Sequence, residues 1–143
     1  MTQARSLGVA ADSVLIYDME AYRTEDTTCR EGVLACMSAW TARLHDHGYL
    51  SGFYSSMSSG VADQVNAYNR AGYVRPDHLD FARWDQIATV TDTALPAGYW
   101  SPHRRVKQYR GGHDETWGGV TINIDNDYLD VAPLPPAGRT CWP

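Results

Sequence analysis

Apolar and polar positions alternate between two periods along this chain. Val14-Leu15-Ile16-Tyr17 is an apolar, β-branched run that closes on Asp18-Met19-Glu20, the signature of a buried strand with carboxylates at its C-terminal end. Strand side chains alternate, so Asp18 and Glu20 share one side, about 7 Å apart, with Val14 and Ile16. Thr28-x-x-Glu31 reads as a capping box, and Val33, Met37, Trp40 and Leu44 follow at helical spacing up to Gly48. Strands are predicted near residues 13–19, 49–55, 79–84, 105–110 and 120–125, with helices near 28–47 and 59–71. Residues 87–103 and 111–119 read as loops, and residues 1–12 as the tail of a helix before a Gly-centred turn.

Strand, helix, strand, helix, strand implies an α/β fold with five parallel strands in sequential order. Polar residues gather at the C-terminal end of each strand: Asp18 and Glu20, Tyr54 and Ser55, Trp84 and Asp85, Gln108 and Tyr109, Asp125 and Asp127. Groups converging from several strand ends on one rim form the pattern of a (β/α)₈ TIM-barrel enzyme.

Length fits one domain, residues 1–132, followed by a Pro-rich tail at 133–143. The net charge of −5 and the single lysine, Lys107, leave no basic stripe for nucleic acid. No apolar run is long enough to span a membrane, and the first twelve residues do not have the form of a signal peptide. Cys29 and Cys36 lie two helical turns apart, too far to bridge each other, so either pairs with Cys141 or all three are thiols.

The stretches Tyr17-Asp18-Met19-Glu20-Ala21-Tyr22, Gly48-Tyr49-Leu50-Ser51-Gly52-Phe53-Tyr54-Ser55, Phe81-Ala82-Arg83-Trp84, Gln108-Tyr109 and Ile124-Asp125-Asn126-Asp127 occur in this order. In that order they resemble a glycoside-hydrolase-like domain family common in secreted actinobacterial proteins, and more distantly the family-25 lysozymes. The resemblance covers residues 8–130 and implies the fourth through eighth strands of a TIM-type barrel, an N-terminally incomplete or partial barrel. It implies Glu20 as general acid, with Asp18 and Asp125 assisting at an oxocarbenium-like centre. Tyr17, Tyr54, Arg83, Trp84, Gln108, Tyr109 and Asp127 would contact the sugar. It also implies an extracellular or cell-wall location, a polysaccharide or glycan partner, and no cofactor. Crowded carboxylates cannot all ionise freely, which suits acid catalysis near neutral pH.

Three function classes follow. The first is hydrolysis of cell-wall or other polysaccharide; the second is a non-catalytic carbohydrate- or envelope-binding domain on the same fold. The third is a metal-dependent hydrolase built from His113, Asp114, Glu115, Asp125 and Asp127, although no spacing reads as a metal motif. Five strands of an open barrel leave two free edges, from which self-association is expected.

Overall fold

A computed structural model describes residues 2–132; the Pro-rich tail and Cys141 lie outside the described residues. The elements are α1 (Thr2–Ser6), β1 (Val14–Asp18), α2 (Thr27–His45), β2 (Leu50–Ser56), α3 (Gly60–Ala67), β3 (His78–Ala82), β4 (Arg104–Trp117) and β5 (Val120–Val131). They build one five-stranded sheet in the order β1-β2-β3-β4-β5, a half-barrel with a few helices.

The first four strands run parallel. Ile16 lies beside Gly52, Asp18 beside Tyr54, Tyr54 beside Asp80, and Asp80 beside Val106. Alternation then sorts the side chains. Tyr17, Phe53, Leu79 and Phe81 point to the face covered by α2 and α3 and pack with Met37, Val61 and Trp100. α2 turns Leu34, Met37, Thr41 and Leu44 inward at helical spacing. α3 starts at Gly60, where a Cβ would stand 2.8 Å from the Phe53 ring, so the helix approaches closer than any larger residue permits. The opposite face carries Ile16, Asp18, Tyr54, Asp80, Gln108, Asp127 and Leu129, and two of its apolar members stay open, Ile16 at 50% and Leu129 at 59% exposure.

The expected all-parallel sheet is corrected at its last strand: β5 pairs with β4 antiparallel. Parallel strands need a crossover of about a dozen residues, whereas β4 and β5 are joined by Gly118-Gly119 alone. Both glycines have positive φ, 57° and 83°, the requirement of a two-residue hairpin turn. Residues 111–117 therefore continue β4 instead of forming a loop, and the hairpin runs well beyond the parallel part of the sheet. The ribbon is two-faced. Thr116 bonds Thr121 and Asn123 bonds Asp114 on one side, while Trp117, Val120 and Ile122 are exposed on the other. Two smaller differences concern helix ends. The cap of α2 is Asp26, whose carboxylate accepts from the Thr28 and Cys29 amides, and α3 closes at Ala67.

Charged residues near the start of β4 are buried on the helix side, each for a polar reason. The Arg105 guanidinium donates to the carbonyls of Val90, Pro96, Ala97 and Tyr99, holding the long loop that precedes its own strand. Lys107, 1% exposed, donates to both Asp85 oxygens at 2.8 Å and to the Ile87 carbonyl at 3.2 Å. That bond is the main reason the Asp85 carboxyl is held below its ordinary range. Asp85 itself keeps solvent contact, so Lys107→Met leaves no dry, unpaired charge. The substitution should cost only about 1 kcal/mol in urea unfolding at neutral pH.

Candidate active site

The site lies on the face of the sheet that the helices leave open. Asp18 ends β1, Glu20 follows two residues on, Asp80 is the middle residue of β3, and Asp125 and Asp127 stand near the middle of β5. Carboxylates from three strands thus share one surface, which needs no sequence proximity, only matched parity along paired strands.

Tyr54 on β2 reports that convergence. Its phenol is pushed up, first by burial and then by the negative fields of Glu20, Asp80, Asp18 and Asp125. Its hydroxyl donates to Gln108 Oε1 at 3.1 Å, and the indole Nε1 of Trp84 donates to the same oxygen at 2.8 Å. Gln108 Nε2 in turn donates to Asp125 Oδ2 at 3.0 Å, while the Gly112 amide donates to Asp125 Oδ1 at 2.6 Å. One glutamine therefore joins residues from β2, β5 and the segment after β3. With both carbonyl acceptor positions filled by donors, its amide orientation is fixed.

The two burial-shifted acids are Asp80 and Asp127. Burial raises the Asp80 pKa to about 6, reinforced by Asp127 and Asp18. Asp127 is also raised, by burial and then by Asp125. Asp80 Oδ1 is buried without a hydrogen-bond partner among the described residues. Sequence reasoning misses Asp80, yet its position between Leu79 and Phe81 carries a signal: two core residues on one face force the residue between them onto the other.

Trp84 lies over the backbone of Gly111. A Cβ at that glycine would sit 2.1 Å from the indole, while the ring remains 63% exposed. Because the ring is free to swing outward, Gly111→Ala should cost little stability but break the Trp84–Gln108 bond. Near-ultraviolet circular dichroism should lose Trp84 intensity while the unfolding free energy moves by about 1 kcal/mol or less.

Of the residues expected to contact sugar, the structure brings Tyr54, Trp84, Gln108 and Asp127 to the acidic face. It does not bring Tyr17, whose ring meets Trp40 edge-on at 5.5 Å on the helix side. Tyr109 falls at the register shift between Gln108 and Arg110, so it has no partner on β5 and strand pairing does not carry it to the acidic face. The Arg83 guanidinium is turned to Asp92 at 3.2 Å and Asp85 at 3.7 Å, bracing the loop after β3. The metal grouping also separates. His113 bonds Glu115 at 2.8 Å on one face of the ribbon, and Asp114 bonds Asn123 on the other. Among the described residues no three histidine, cysteine or carboxylate side chains stand together as metal ligands.

No curated protein and no solved structure matches the chain. The model of one family does match, over residues 1–129, which include every strand but the last two residues of β5 and every acid of the open face. The chain belongs to the family described as Rv2525c-like, glycoside hydrolase-like domain.

Proposed function

We propose that the open face of the sheet hydrolyses glycosidic bonds in a cell-wall or related polysaccharide. The observation that carries this reading is the convergence of Asp18, Glu20, Asp80, Asp125 and Asp127 around Tyr54 in a glycoside hydrolase-like domain. Cleavage of a glycosidic bond needs one carboxyl that gives a proton to the leaving oxygen and another that stays ionised beside the positive charge developing at the sugar. Glu20, exposed beyond the end of β1, donates the proton. Asp18 on the same strand face and Asp125, held by Gln108 and Gly112, stabilise the oxocarbenium-like centre. Trp84, with its ring open to solvent and its edge tied to Gln108, stacks on a sugar ring.

The second reading is a glycan-binding domain without turnover, and the exposure of Glu20 favours it, since a general acid is ordinarily shielded from water. Incubating the chain with purified cell-wall glycan separates the two. New reducing ends support hydrolysis, whereas retention on the glycan with no new ends supports binding alone.

A further inference from the structure

We propose that Asp80 is a further substrate-binding residue of this face, presenting a neutral carboxyl group that donates a hydrogen bond to a sugar hydroxyl. The inference rests on the glycan reading of the same site.

The geometry is that of a carboxyl with no use for a negative charge. Asp80 sits in the centre of the sheet on β3, flanked by Tyr54 of β2 and Val106 of β4. Its Oδ1 is buried with no donor in reach among the described residues. A buried carboxylate oxygen without a hydrogen bond loses its hydration and recovers nothing, whereas a protonated carboxyl places its bare carbonyl oxygen there at far lower cost. The remaining oxygen, on the partly open side of the residue, then carries the proton and points its donor toward a ligand.

The charged neighbours act in the same direction. The acids bearing on Asp80 are Asp127 from β5 and Asp18 from β1. Tyr54 from β2 spends its hydroxyl on Gln108. From β4, Lys107 and Arg105 face the helices, engaged with Asp85 and with loop carbonyls. Arg104 bears on His78, two residues before Asp80, and its side chain is exposed. Burial raises the Asp80 pKa to about 6, consistent with a proton retained in mildly acid solution. A face crowded with acceptor carboxylates is short of donors, and sugar hydroxyls bind most tightly where they can both give and receive. Asp80 supplies the donor.

The test compares Asp80→Asn, a neutral isostere that still donates, with Asp80→Ala, which does not. Both are placed in the Glu20→Gln background so that the ligand stays intact, and binding of a peptidoglycan glycan tetrasaccharide is measured between about pH 5 and about pH 8. With Asp80 present, affinity is expected to fall roughly tenfold as the pH rises across that range. With asparagine in its place the fall should vanish or shrink several-fold, and the Ala variant should bind weakly at both ends. The difference between the Asp and Asn forms cancels the titration of Asp127 and the histidines, which all forms share. A merely structural Asp80 would lower affinity without changing its pH dependence. The same pH dependence in the Asp and Asn forms, or full affinity in the Ala form at about pH 5, overturns the assignment and leaves the glycan reading standing. Absence of tetrasaccharide binding by every form at every pH overturns both.

Discussion

Glu20→Gln is expected to lower turnover on glycan by about 10²- to 10⁴-fold, the usual contribution of a positioned proton donor. Glutamine keeps the size and hydrogen-bonding reach of the side chain and removes only the transferable proton. Binding of an uncleaved oligosaccharide should therefore change little, and the loss should fall on kcat while KM stays within a few-fold. Glu20 lies outside β1 and is exposed, so thermal unfolding should match the wild type. A loss confined to KM would make Glu20 a binding residue, and a loss matched by unfolding would make it structural.

Asp80→Asn carries the second large effect, on stability, and its sign is fixed by the direction of the shift. The folded protein holds the Asp80 proton up to about pH 6, whereas the unfolded chain releases it near the ordinary value of 3.8. Between those values the folded state binds more protons, so stability falls as the pH rises through the window. The full shift, discounted for the partial exposure of the residue, corresponds to about 2 kcal/mol of destabilisation at neutral pH. Asparagine has no proton to lose and avoids that penalty. The variant should be about 2 kcal/mol more stable than wild type at neutral pH, a rise in Tm of several degrees, and about equal to it near pH 4. Equal stabilities at both pH values would place the Asp80 carboxyl in a well-solvated setting.

Much of the parallel sheet is legible in the residue pattern, because β1, β2 and β3 pack on their helix side, β2 and β3 with buried residues there, and their apolar residues recur at the strand period. The hairpin is less so. Residues 111–117 read as a loop because glycines and polar residues dominate them, and a ribbon that leaves the core needs no apolar face to form. Its one strong signal is Gly118-Gly119 between Thr116-Trp117 and Val120-Thr121, the shortest link two antiparallel strands accept. Reading that link as part of a crossover turns the last strand the wrong way. Asp18, Asp125 and Asp127 are found from sequence because they lie where motif resemblance directs the eye. Asp80 is hidden by position, in mid-strand between Leu79 and Phe81, where an acid looks like an interruption of the core. Tyr17 is the reverse case: motif order suggests the site, while parity with Leu15 and Phe53 assigns it to the helix side. Arg105 and Lys107 are legible only in three dimensions, since their partners are carbonyls and an acid of the irregular loop before β4, which no residue period marks.

Hydrolysis at the open face is tested most directly on a single defined substrate. A purified peptidoglycan glycan octasaccharide is incubated with the wild-type chain and, separately, with Glu20→Gln, and the products are resolved by mass. Cleavage to shorter saccharides by the wild type, with the octasaccharide left whole by the variant, is the predicted result. An octasaccharide that the wild type binds but leaves uncut, or that both forms cut at equal rates, would contradict it.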